Sequence, residues 1–285
     1  MYTQEITRCH RAAIVIAIDQ SCSMSERLNI NGCNLTKAEA VSLVTGRLLN
    51  ELLLRSRRDG ECRNYYDIAI IGYNNDEAYS LLGDDIDFLP ITLLAKRPVR
   101  KRSFALRYTM PNGKPALFFE EIPMWVEPRA EGSTPMYKML TKVFDMVYKW
   151  CSEPQNRNSF PPIVFNITDG EASDATATQL IEAAKRIRNI CTNDGNTLFV
   201  NVHLTSYNTM RPTIFPRPNE IYFESRCART LAEMSSEIPQ LLEDYAMKCR
   251  GDFALPPFLA MSYNASISEL ILTLNIGTRS LPPMI

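Results

Sequence analysis

The chain has 285 residues, 45% hydrophobic and 22% charged, an ordinary globular composition that argues against disorder. A chain of this length buries about three quarters of its unfolded surface, enough for a core without staples. With 31 basic and 32 acidic residues the formal net charge is −1, which excludes a dominant electrostatic grip on nucleic acid or anionic lipid.

The eight cysteines, at 9, 22, 33, 62, 151, 191, 227 and 249, contain no C-x-x-C pair. A finger or ribbon zinc site is therefore not expected, and their density is far below that of a disulfide scaffold. Residues 1–10 are polar and show no signal-peptide core, and the apolar run after them is too short to cross a bilayer. The expectation is a cytoplasmic protein with free thiols and no membrane association.

In chain order, Ala12–Ile18 is a continuous, β-branched apolar run, the pattern of a strand covered on both faces. Leu35–Arg58 reads as a helix, with Thr36 and Glu39 forming a capping box and Val41, Val44, Leu48 and Leu52 on one face. Tyr65–Tyr73 is the next strand. Residues 82–129 interrupt the pattern with a predicted hairpin, Ser103–Met110 and Ala116–Val126, around Pro111-Asn112-Gly113. Thr134–Trp150 is a second helix, with Pro135 expected at its first position and Met136, Leu140, Val143, Phe144 and Val147 on its apolar face.

Pro162–Thr168 is a third strand and Ser173–Cys191 a third helix, with Leu180, Ala184, Ile187 and Cys191 facing inward. Thr197–Leu204 is a fourth strand. Cys227–Met234 and Pro239–Arg250 read as short helices, and Ser262 to Ile276 as a turn and a final apolar segment. This alternation predicts an α/β fold: a Rossmann-like open, mostly parallel central sheet with helices on both faces. No linker or internal repeat divides the chain, so residues 1–285 are taken as one domain with a hairpin insertion at about 82–129.

In such sheets ligands bind beyond the carboxyl ends of the strands. Asp19-Gln20-Ser21-Cys22-Ser23 follows the first strand, Asp169-Gly170-Glu171 the third, and Gly132-Ser133-Thr134-Pro135 precedes the second helix. Two carboxylates and several hydroxyls are hard oxygen donors, suited to Mg²⁺ or Mn²⁺ rather than zinc. Two carboxylates about 5 Å apart repel by roughly 3 kcal/mol at an effective dielectric near 20, and a divalent cation removes that penalty.

The order D-x-S-x-S, a distant threonine, then T-D-G resembles the von Willebrand factor type A (VWA) domain and its metal-ion-dependent adhesion site. The resemblance covers roughly residues 10–250 and implies that Asp19, Ser21, Ser23, Thr134 and Asp169 are the metal ligands. Arg11–Ile18, the GSTP motif and Ile163–Asp174 look most like cytosolic bacterial VWA proteins of the tellurium-resistance-associated type. The likeness implies Mg²⁺ and recognition of a partner protein's Asp or Glu in an intracellular complex, without catalysis. It also implies kinases, phosphatases or ATPases as associates. One residue departs from the family: the position between the serines, usually glycine, is Cys22, whose side chain would narrow the loop or shield the ion.

Other readings carry less. A Mg²⁺-dependent phosphohydrolase using Asp19 as nucleophile is the alternative function, but the usual general acid two residues on is replaced by Ser21. No G-x-S-x-G surrounds either serine, and no G-x-G-x-x-G follows the first strand. His203, at the end of an apolar strand, is expected to be packed or hydrogen-bonded. Glu171 and Asp174 are expected to cap the following helix, and Asn74 and Asn75 to face water. The basic run Lys96, Arg97, Arg100, Lys101 and Arg102 reads as a solvated loop rather than a nucleic-acid grip.

Overall fold

The first strand shows how the layers arise. Ala12–Asp19 is buried along its whole length. Its alternation sends Ala12, Ile14, Ile16 and Ile18 into one apolar layer and Ala13, Val15 and Ala17 into the other. The computed structural model describes residues 2–30, 33–84, 86–109, 115–205, 212–221, 224–265 and 267–276.

The elements used below are β1 (Ala12–Asp19), α1 (Lys37–Arg55), β2 (Tyr66–Asn74), β3 (Glu77–Ser80), β4 (Leu89–Pro90), β5 (Arg100–Thr109), β6 (Pro115–Met124) and α2 (Met136–Ser152). They continue with β7 (Ile163–Thr168), α3 (Ala177–Arg188), β8 (Leu198–Leu204), β9 (Thr213–Ile214), α4 (Arg226–Met234), α5 (Gln240–Arg250), β10 (Met261–Ala265) and α6 (Ile267–Leu274).

The central sheet has the order β9-β10-β8-β7-β1-β2-β3, with β4 also paired to β2. The five strands from β10 to β2 run parallel, while β3, β4 and β9 are antiparallel at the margins. Val41, Leu48 and Leu52 of α1, Leu242 of α5 and Leu270 of α6 cover one face. Leu140, Val143 and Val147 of α2, Leu180 and Ala184 of α3 and Leu231 of α4 cover the other. Each such fully buried aliphatic side chain contributes about 1.5–3 kcal/mol, more than helix propensity supplies. This is the Rossmann-like open sheet with helices on both faces.

Boundaries differ where local chemistry overrides periodicity. Thr36 and Glu39 form the capping box of α1, so the helix starts at Lys37; Leu35 lies in a small antiparallel ribbon pairing Arg27–Ile30 with Cys33–Thr36. Pro135 is the residue before α2 rather than its first helical residue. The third helix ends at Arg188, and Cys191 is exposed in a short β pairing instead of facing the core. The tail yields β10, parallel to β8, and then α6, where only a turn and an apolar segment were expected.

Residues 82–129 do not form a separate layer. β4 pairs with β2, and β5 pairs with β6 as a long hairpin whose turn, Pro111-Asn112-Gly113, lies outside the described residues. The hairpin base packs on α1. The Ser42 hydroxyl donates to the Val126 carbonyl, and a Cβ on Gly46 would stand 2.7 Å from the Pro123 carbonyl oxygen. Three members of the basic run are paired: Arg100 with Glu127 at 2.8 Å, Lys101 with Glu121 at 3.8 Å and Arg102 with Glu39 at 3.4 Å. Among the described residues no helix is long and apolar enough to cross a membrane.

Candidate metal centre

Strand order reverses about β1: β2 lies on one side, and β7, much later in sequence, on the other. Such a reversal opens a crevice at the carboxyl ends of the two strands. β1 ends at Asp19 and β7 at Thr168, so Asp19 and Asp169 come to neighbouring strand ends although 150 residues of chain separate them.

Asp19 is fully buried and turns its carboxylate back on its own loop. Oδ1 accepts from the Ser21 N–H at 2.9 Å, an Asx-type turn, and Oδ2 accepts from the Thr168 hydroxyl at 2.7 Å. The hydroxyls of Ser21 and Ser23 share a hydrogen bond at 3.2 Å, and the Ser23 hydroxyl donates to Asp169 Oδ1 at 2.6 Å. Burial pushes the Asp19 carboxyl up to about 6; the Ser21 and Thr168 hydrogen bonds pull against that rise, and the charge of Asp169 adds to it.

Thr134 stands on the adjoining loop and is also buried. Its N–H donates to the Ser173 hydroxyl and its carbonyl accepts from the Ser173 N–H, both at 3.0 Å. Among the described residues no hydrogen bond joins the Thr134 side chain to the other four. The structure thus gathers Asp19, Ser21, Ser23 and Asp169 into one hydrogen-bonded line and sets Thr134 beside it. Cys22 is exposed, and its sulfur accepts from the Gly132 N–H at 3.0 Å, while the Cys22 N–H donates to the Gly132 carbonyl at 3.0 Å. The thiol expected to narrow the loop or shield the ion therefore ties two loops together.

Lys37 escaped the sequence reading. Its ammonium contacts Asp169 Oδ2 at 2.8 Å and Glu26 Oε2 at 2.7 Å, and its side chain is 4% exposed. One signal was available: a cation in the first turn of a helix opposes the macrodipole and needs a compensating partner. Asp174 also differs from expectation. It caps α2, accepting from the N–H groups of Tyr137 and Lys138 at 3.0 Å each, while Thr176 and Gln179 cap α3. Glu171 is exposed at the rim. Asn74 is buried and accepts from the Tyr79 hydroxyl at 3.0 Å instead of facing water. The His203 ring stacks on Tyr263 with centroids 4.4 Å apart, and burial pushes the imidazole down to about 4.

The donors present suit a hard divalent cation: two carboxylates, two hydroxyls bonded to each other, and a third hydroxyl on the next loop. Every oxygen of Asp19 and Asp169 takes one of the hydrogen bonds described, and a carboxylate oxygen has a second lone pair to offer. Among the described residues no group of three or more His, Cys, Asp or Glu side chains is placed to hold a metal, so an ion here has to take hydroxyl donors.

No family model matches the sequence, and no curated protein matches it. The chain is similar to solved von Willebrand factor type A structures. The vWF domain of the type V pili tip protein Mfa5 from Porphyromonas gingivalis is 10% identical, with a TM-score of 0.47, over 94% of this chain and 95% of that one. A von Willebrand factor type A protein from Catenulispora acidiphila is 14% identical, with a TM-score of 0.41, over 69% of this chain and 34% of that one. Proximal thread matrix protein 1 from the mussel byssus, solved with a zinc-occupied MIDAS motif, is 12% identical, with a TM-score of 0.39, over 69% of this chain and 36% of that one. This chain spans about a third of the length of the last two. These are likenesses of chain trace between distant sequences, and the site is read from its own residues.

Proposed function

We propose that this chain is a metal-dependent protein-binding module of the von Willebrand factor type A kind, acting in an intracellular complex. Asp19, Ser21, Ser23, Thr134 and Asp169 would hold Mg²⁺ or Mn²⁺. When bound, the ion supplies an electrophilic position for a carboxylate of a partner protein. The observation that carries this reading is the line Ser21–Ser23–Asp169, with Asp19 beside it, at the strand-order reversal.

The chain's own groups favour binding over hydrolysis. Both Asp19 oxygens are held, by the Ser21 N–H and the Thr168 hydroxyl, which suits a fixed ligand better than a nucleophile. Ser21 stands where a phosphohydrolase would carry its proton donor. Neutral hydroxyls complete the donor set without adding charge, which leaves a bound cation able to take one more anion.

Calorimetric titration with Mg²⁺ of the wild type and Asp19→Ala tests the reading. Heat from the wild type and none from the variant is expected; equal heats would remove the metal site. A pull-down with and without chelator then tests the partner: capture that ignores the chelator would sever recognition from the ion.

A further inference from the structure

Lys37 is an unusual neighbour for a cation site. Its ammonium lies between Asp169 Oδ2 at 2.8 Å and Glu26 Oε2 at 2.7 Å. The Asp169 side chain is 0% exposed and that of Glu26 47%, so the ammonium reaches inward from a solvated acid to a buried one. Its approach is fixed by the capping box of Thr36 and Glu39, which sets the first turn of α1, where Lys37 is the first residue. A further hydrogen bond, from the Lys37 N–H to the Glu26 carbonyl at 2.9 Å, ties the lysine's backbone to the same partner. Among the described residues no other cationic side chain pairs with Asp19 or Asp169, and two buried carboxylates together without a compensating charge are an arrangement a protein interior does not tolerate.

We propose that Lys37 is the resident counter-cation of this site. It neutralises Asp169 when no divalent ion is bound, and it competes with the ion for the same carboxylate. The site thereby keeps its shape without metal and binds metal weakly enough to release it. This inference rests on the metal reading above and adds to it how occupancy is set. The driving force is Coulombic. Two cations drawing on one buried carboxylate repel each other, and deleting the fixed one strengthens the hold on the mobile one.

The test compares wild type, K37M and K37R. K37M removes the charge and keeps most of the aliphatic stem, while K37R keeps the charge. In EDTA, K37M is expected to melt about 5–10 °C below the wild type, because Asp169 loses its partner. Added Mg²⁺ recovers most of that loss in K37M and shifts the wild type far less. By calorimetry, Mg²⁺ binds K37M at least about tenfold more tightly than the wild type, and K37R stays within a few-fold of the wild type. Equal Mg²⁺ affinity in wild type and K37M, or equal melting in EDTA, overturns the role of Lys37 and leaves the metal reading standing. No heat from either protein overturns both. If K37M fails to fold in either buffer, the wild type decides: the Lys37 ¹⁵Nζ resonance shifts on Mg²⁺ titration if the ammonium contacts the ion's carboxylate, and an unmoved resonance overturns the proposal.

Discussion

Gly132 shows how one residue governs the loop beside the site. Its φ is +75°, and a Cβ there would fall 1.7 Å from Asn75 Oδ1. Its N–H and carbonyl both bond Cys22, so a shift at Gly132 moves the loop carrying Ser21 and Ser23. Gly132→Ala is expected to cost about 1–3 kcal/mol in strain and to weaken Mg²⁺ binding in calorimetry. Gly170, one residue past Asp169, has open space where a Cβ would go, so Gly170→Ala should change stability by less than about 0.5 kcal/mol. Asp67 offers a pH signature away from the site. Burial raises its carboxyl, while the Trp150 indole N–H at 3.0 Å and Arg11 at 2.9 Å pull it back down. A carboxyl raised in the folded state favours folding while protonated, and that contribution is lost as pH climbs past its folded pKa. Relative to Asp67→Asn, the wild type should therefore lose melting temperature as pH rises from 4 upward. A constant difference between the two proteins across that range would assign Asp67 no such role.

The elements were legible where local chemistry decides them. Thr36 with Glu39 announced the start of α1, and the apolar run Ala12–Ile18 announced β1. Elements decided by distant partners were not. The β10 residues Met-Ser-Tyr-Asn-Ala show little strand chemistry, and all but Asn264 are buried because β8 and β9 pair on either side of them. The cap of α2 was equally hidden, because Asp174 lies 37 residues from Tyr137 in sequence. Pro135 supplies no side-chain cap, so the first turn depends on that distant carboxylate. Asp174→Ala should cost about 0.5–2 kcal/mol, seen as a lower melting temperature. Asp174→Asn, which keeps an accepting oxygen, should lose less. If the two substitutions cost the same, Asp174 stabilises through something other than capping.

At the scale of the whole molecule, strand-helix alternation predicted the layered sheet, and the strand ends predicted where Asp19 and Asp169 meet. A polar line through the core was not legible, because its members sit on three strands and on the residue that follows a helix. The Tyr73 hydroxyl donates to Asn166 Oδ1 at 2.8 Å, Asn166 Nδ2 donates to Asn201 Oδ1 at 2.9 Å, and Asn201 Nδ2 donates to the Ser235 hydroxyl at 3.0 Å. Between Tyr73 on β2 and Asn166 on β7 lies β1, whose Ala17 is the register partner of Asn166; its small side chain leaves room for the tyrosine to cross. Tyr73 is also the register partner of Asp19, so the line starts at the site and ends at the C-terminus of α4. Tyr73→Phe leaves a buried amide oxygen without its donor, which should cost about 1–3 kcal/mol. Asn201→Ala should cost a similar amount, because it strips Asn166 Nδ2 of its oxygen acceptor and leaves it the weakly accepting Met136 sulfur at 3.9 Å. If the line acts as one network, the double variant loses less than the two single losses together, by about 0.5 kcal/mol or more. Denaturant unfolding of the four proteins measures that difference. Strict additivity would mean that each bond stabilises its own strand pair and that nothing is shared across the sheet.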